Sequence, residues 1–279
     1  MRFGIKTAPM NTTWSGMLDV WREADRIPLF ESAWNFDHFE PIFSDRSGPC
    51  LEGWSTLAAL AAVTTRIRIG CQVTGVPYRH PSVLANMAAT VDVISEGRLI
   101  LGLGAGWNQD EADALGLRLP PLKERFDQFD EALEVIVALL TQERSTFRGR
   151  HFTLNEAFCE PKPVQRPHPP IAIGGNGERR TLRTVARWAQ HWNSISQEPA
   201  EWLRKREVLH RHCAELGRDP AEIETSVLLR LGGDDDPQVL QPAVQAWAEA
   251  GADICIVYLS PPHTAAAVGR IATALQPFT

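Results

Sequence analysis

Short β-prone runs recur along the chain, and between them the apolar positions shift to helical spacing. The runs are RFGIKT from Arg2, SAWNF from Ser32, RIRIG from Arg66, RLILGLG from Arg98, PIAIGG from Pro170, HWNSIS from His191, IETSVLL from Ile223 and ADICIVYL from Ala252. Six of the seven spacings fall between about 20 and 35 residues, the length of one strand-plus-helix unit, and the seventh, from the fourth run to the fifth, is about 70. Several runs are apolar on both faces, as parallel strands covered by helices must be.

The intervening segments carry helix signals. HPSVLANMAATVDVIS sets Val83, Met87, Val91 and Ile94 at steps of three and four before Gly97 ends the pattern. KERFDQFDEALEVIVALL does the same with Phe126, Phe129, Leu133, Ile136 and Leu140. DPAEI at Asp219 and SPPHTAAAVGRI at Ser260 read as N-caps followed by proline in the first turn. Eight such units predict an α/β fold, a (β/α)8 TIM barrel, as a single domain over residues 1–279. The long fourth unit carries an insertion, FRGRHFTLNEAFCEPKPVQRPHPP, over 147–170. Its five prolines exclude a long helix, and its length predicts a loop beside the barrel mouth that partly encloses a substrate.

Charge and composition narrow the partners. With 279 residues, 44% hydrophobic and 22% charged, the chain suits one barrel with a sizeable core. A formal net charge of −6 argues against nucleic acid, because phosphate backbones select clustered Lys and Arg. Arg204, Lys205 and Arg206 alternate with acids and read as a solvated helix face. Cys50, Cys71, Cys159, Cys213 and Cys255 show neither CxxC spacing nor histidines at zinc-ligand spacing, so they read as buried thiols and no metal is expected. MRFGIKTAPM reads as a strand rather than a leader, and no uncharged run approaches the ~18 residues of a membrane span. A cytoplasmic protein acting on a small molecule is the expectation.

In such a barrel the active site lies at the C-terminal ends of the strands, which turns the strand list into candidate positions. The second strand ends in NFDHFEP, placing Asp37 and His38 among phenylalanines. His38 is the candidate proton donor or acceptor, since imidazoles titrate near working pH, and Asp37 would orient it or cap a loop. The plain alternative is a cap beside a satisfied core histidine. The fourth strand ends in GLGAGWN, where Gly104, Ala105, Gly106 and Trp107 offer backbone to a planar ring, or else form a tight turn with a packing tryptophan. After the fifth, Gly174, Gly175, Asn176, Gly177 and Glu178 precede a helix whose unpaired N–H groups favour a phosphate. Trp14 and Trp54 fall with Trp107 near the same face and predict an aromatic substrate pocket.

Together these stretches resemble the luciferase-like monooxygenase superfamily. The resemblance covers almost the whole chain and is densest in NFDHFEP, in Tyr78 to Leu117, in ERFDQFDEALEVI and in EPKPVQRPHPPIAIGGNGERRTLRTVARWAQHWN. The chain is most similar to the branch labelled coenzyme F-420 (F420)-dependent oxidoreductases, whose cofactor is a hydride-transferring 5-deazaflavin; other branches use reduced FMN with oxygen. The resemblance implies an insertion after strand four, a flavin-like ring over the strand ends and its phosphate at the Gly174–Glu178 turn. It implies a non-prolyl cis peptide near Gln72, Val73 and Thr74 that backs the ring, and a homodimer. Arg79, Arg179 and Arg180 become candidates for the coenzyme's acidic tail.

The chain also departs from that family. Sugar-phosphate dehydrogenases of the deazaflavin branch carry a glutamate where Trp107 stands, and the frequent Ala-Asp-Gly-Trp reads Ala189-Gln190-His191-Trp192. The turn after the first helix, Arg26 to Glu31, lacks the usual glycine. Three readings follow: a deazaflavin oxidoreductase acting on a C=C, C=O or C=N group, an FMN-dependent monooxygenase, or a barrel that only binds a ligand.

Overall fold

All eight β-prone runs form strands in the computed structural model, which describes residues 1–279. In chain order the elements are β1 (Arg2–Thr7), α1 (Trp14–Arg26), β2 (Phe30–Asn35), α2 (Gly53–Val63), β3 (Arg68–Cys71), β4 (Thr74–Gly75), α3 (Pro81–Ile94), β5 (Leu99–Gly104), α4 (Gln109–Leu115) and α5 (Leu122–Thr141). They continue with β6 (Ser145–Arg148), β7 (Thr153–Ala157), β8 (Ile171–Gly174), α6 (Thr181–Trp188), β9 (His191–Asn193), α7 (Pro199–Leu216), β10 (Glu224–Leu231), α8 (Gln241–Ala250), β11 (Ile254–Leu259) and α9 (Ala265–Leu275). The main sheet runs β3-β2-β1-β11-β10-β9-β8-β5-β4, and a further β3–β5 pairing closes it into a barrel. The pairs are parallel, and β4 extends the stave begun by β3, so the strands make an eight-stave α/β barrel.

Both faces of the staves are dry. Outward residues such as Phe3, Ile5, Ile69, Leu101 and Ile173 join helix residues in the main core, whereas Trp34, Ile100, Ala172, Ile254 and Ile256 fill the interior. This is why the strand runs lack polar alternation. The α5 stripe packs as its spacing predicts, with Phe129, Leu133, Ile136 and Leu140 buried and Phe126 against them. The α3 stripe does not. Val83 and Ile94 are exposed, and the buried face is Leu84, Ala85, Ala88, Ala89, Val91 and Asp92. Small alanines let this helix approach the barrel closely, so its inner face is less hydrophobic by residue type than its outer one.

Two helix starts also move. Asp219 caps a single 3-10 turn, its carboxylate accepting from Ala221 N at 2.9 Å, and not a full helix. The last helix is capped by Thr264, which accepts from Ala267 N, and not by Ser260. The five cysteines are free thiols, four of them buried. No helix is long and apolar enough to cross a membrane.

The insertion corrects the lid expectation. β6 and β7 form an antiparallel hairpin, whose tip is held by Glu131 of α5 accepting from the amides of Arg150, His151 and Phe152 at 2.8–3.2 Å. The limb that follows donates from Gln165 to Asp92 in the last turn of α3 and to the Leu99 carbonyl at the start of β5. Those groups lie at the N-terminal ends of the strands, opposite the mouth. Only the hairpin tip climbs, where Phe152 meets His80 edge-on at 5.3 Å. The segment therefore satisfies a buried carboxylate under the barrel and braces α3 against α5.

Candidate active site

Successive residues on an extended chain point to opposite sides, and this separates the two candidate groups after β2. Asp37 is buried and turns to Arg79, whose Nη1 and Nη2 donate to its two oxygens at 2.5 and 2.9 Å. Arg79 also reaches Glu52, the N-cap of α2, at 2.5 Å. Burial pushes the Asp37 carboxyl up, against the pull of the Arg79 pair. Asp37 thus fastens the β2 loop to the segment ahead of α3 and does not orient His38.

The orienting group is Glu111, which sequence reasoning missed. It sits on α4, fully buried, and its Oε2 lies 2.7 Å from His38 Nδ1. The Tyr78 hydroxyl donates to the same oxygen, and Phe39 N donates to Oε1 at 2.6 Å. Burial alone would raise this carboxyl, but His38, Tyr78 and Phe39 outweigh it and hold Glu111 below the ordinary range. Burial and the adjoining Glu111 carboxylate push the Tyr78 phenol up, so it stays a donor. An ionised carboxylate only accepts, so His38 Nδ1 carries the proton and a neutral ring leaves Nε2 as acceptor. His38 Nε2 has no protein partner.

An aromatic rim surrounds that imidazole. Phe36 and Trp107 meet it edge-on at 5.1 and 5.6 Å, and Phe43 stacks on Trp107 at 5.5 Å. Trp107 and Phe43 remain 53% and 77% exposed, which leaves both rings free to meet a ligand. Trp14, at the start of α1, is partly exposed. Trp54 is different. It is buried in the main core and donates from Nε1 to Thr74 Oγ1 at 2.9 Å, so it supports the site from behind.

The peptide between Gln72 and Val73 is cis, where the family resemblance implies one. Val73 then turns its side chain toward the ends of β5 and β8. A Cβ added to Gly104 would lie 2.8 Å from Val73 Cγ2, and one added to Gly174 would lie 3.2 Å from Cγ1. These glycines make room for the Val73 side chain. Gly106 has φ +82°, and its open side faces Pro77, while Ala105 packs on the core.

After β8 the chain makes a turn that only glycine suits, since Gly175 has φ +119°. Its carbonyl accepts from Trp192 Nε1 at 2.8 Å, and Asn176 is tied to Ser194, Ile195 and Ser196. The amides of Asn176 to Arg180 donate to no protein group and stand ahead of α6. The Glu178 carboxylate is held by Lys205 and Arg204, which bring it down to about 2. Arg180 is paired with Asp127 and Asp130, so of the three expected tail-binding arginines only Arg179 has no ion pair.

Comparison with known proteins agrees with this architecture. An uncharacterized protein of Mycobacterium tuberculosis is 39% identical over 149 residues, 53% of this chain and 51% of that protein. The match thus spans about half the length of that relative. The F420-dependent glucose-6-phosphate dehydrogenase of Microbacterium testaceum is 30% identical over 251 residues, covering 89% of this chain and 73% of that one. An F420-dependent secondary alcohol dehydrogenase, solved with an F420-acetone adduct, shares the fold at TM-score 0.87 and 19% identity, covering 100% of this chain and 99% of the other. The family described as luciferase-like monooxygenase matches residues 1–275. That match along nearly the whole length of a closed parallel barrel places this chain in the luciferase-like monooxygenase family.

Proposed function

We propose that this protein is an F420-dependent oxidoreductase that moves a hydride between the deazaflavin and a C=C, C=O or C=N group of a small organic substrate. The observation that carries the reading is His38, held at Nδ1 by buried Glu111 with Nε2 free beside an exposed aromatic rim. The group fits the residues present. Five unpartnered amides from Asn176 to Arg180 suit a phosphate at the head of α6, and the Val73 side chain offers an apolar floor to a ring. F420, when bound, supplies a hydride and reacts poorly with oxygen. His38 gives or takes the accompanying proton at Nε2, Glu111 fixes its tautomer, and Trp107 with Phe43 shields the reacting centre from water. The relative from Microbacterium testaceum, by its name, uses the same coenzyme.

The test is a fluorescence titration of the purified protein with F420 and with FMN. Micromolar binding of F420 and none of FMN is expected. The reverse result would move the chain to the flavin monooxygenases, and binding of neither would leave a barrel without this cofactor. Gly175→Val gives a second measurement. Its φ of +119° is strained for valine, and the added side chain would crowd the approach to the amides. F420 affinity should fall by about tenfold or more, and unchanged affinity in a folded variant would remove the turn from the site.

A further inference from the structure

The inside of the barrel changes character toward the mouth. There three inward residues share one level, because Lys6 is in register with Tyr258 and Tyr258 with Arg230. Gln72 joins them from the end of β3. Lys6 is buried, and its ammonium donates to the Gln72 carbonyl at 2.8 Å. It lies 5.4 Å from the centre of the Tyr258 ring, and the Arg230 guanidinium lies 5.0 Å from the same ring. Neither cation has a carboxylate partner; the charged neighbour of Lys6 is Arg230, which repels it. Burial, with Arg230 adding to it, brings the Lys6 ammonium down to about 8. The Gln72 carboxamide is 6% exposed, and both its oxygen and its nitrogen lack any hydrogen-bond partner. A buried ammonium without a carboxylate, beside a buried amide without a hydrogen-bond partner, is costly, and such groups are retained where a ligand completes them.

We propose that Lys6, Arg230 and the Gln72 carboxamide form a carboxylate-binding site at the barrel mouth, which makes the substrate of the oxidoreductase an organic acid. The substrate assignment rests on the function proposed above; the anion site itself does not. The surroundings set the rest of the ligand. Tyr258 and Phe36 belong to one apolar cluster with Ala8 and Met10, and Phe36 meets His38 at 5.1 Å. A carboxylate on the two cations lays its carbon skeleton across Tyr258 and Phe36 toward His38 Nε2. Lys6 and Gln72 are buried, whereas Arg230 is exposed, so a ligand would meet the guanidinium first and the ammonium beyond it. The Gln72 amide N–H and the Arg230 fork match the two oxygens of a carboxylate.

Titrating the cofactor-free protein with benzoate and with its neutral isostere benzamide tests the site, read by tryptophan emission because Trp34 is in register with Lys6. Benzoate should bind at least about tenfold more tightly, since a charge-assisted pair contributes far more than a neutral contact. Arg230→Met and Lys6→Met should each remove most of that preference with the circular dichroism spectrum intact. Arg230 is exposed, so its variant keeps the test open if the buried Lys6→Met chain fails to fold. Equal binding of benzoate and benzamide, or a preference that survives Arg230→Met, overturns the site. The titration is then repeated with saturating F420. Benzoate should still bind; its displacement would give the cations to the coenzyme and overturn the substrate class. Failure of F420 to bind would instead sink the oxidoreductase reading and leave the benzoate result standing.

Discussion

His38→Ala should lower turnover by about 10²–10⁴-fold, the usual worth of a positioned acid or base, with F420 affinity close to that of the parent. The split follows from geometry. The imidazole sits on the rim by β2 and α4, whereas the amides proposed for the phosphate lie ahead of α6. If the ring were only a core residue, the same change would lower the melting temperature and leave activity per folded molecule intact. Measuring rate, affinity and stability on one preparation separates the two. Glu111→Gln is the companion. It leaves the His38 ring in place, removes the charge that fixes its tautomer, and should lower the rate by less than His38→Ala does. It should also change acid stability. Glu111 titrates below its ordinary value of 4.5, so its stabilising effect is full above that pH and is lost as pH falls through the folded value. The variant should lack this part of the acid transition, and identical acid melts would argue against an ionised Glu111.

Arg79→Met should destabilise the fold by about 3–5 kcal/mol at neutral pH, because it strands a buried carboxylate. The Asp37 side chain has no exposed surface, and Arg79 supplies two of its hydrogen bonds. With the guanidinium gone, burial is left as the main influence on Asp37, and burial already pushes that carboxyl up. A carboxyl whose folded value is raised takes up its proton more readily folded than unfolded. The deficit of the variant should therefore be greatest at neutral pH and shrink as pH falls through the raised value. Urea melts of both proteins at neutral and mildly acidic pH read this directly. A deficit that does not vary with pH would mean that lost packing, and not the stranded charge, dominates.

The legible parts of this molecule were those written in local pattern. Strands apolar on both faces announce a covered parallel barrel, and the strand-end rule places His38, the Gly104 turn and the Gly175 turn at its mouth. What escaped was pairing across distance. Glu111 lies 73 residues beyond His38, amid Asp110 and Asp113, and nothing local marks the one acid of the three that is buried. Adjacency in sequence suggests His38 as the partner of Asp37, but alternation sends its side chain to Arg79. The place of Trp54 near a strand end suggests pocket lining, but its indole turns inward to Thr74. On α3, hydrophobicity by residue type favoured exposed Val83 and Ile94 over the alanines that pack.

The wedge made by Val73 has a bearing on how this rim changes over evolutionary time. Gly104 and Gly174 are spaced for a valine side chain between them, so three positions from three staves occupy one shared volume. A methyl gained at either glycine must be matched by one lost at residue 73, and the substitutions are then epistatic and not additive. Neutral drift at this floor is confined to a narrow ridge of compensated combinations, and a lineage that leaves it must cross a poorly packed intermediate to reach a different ring seat.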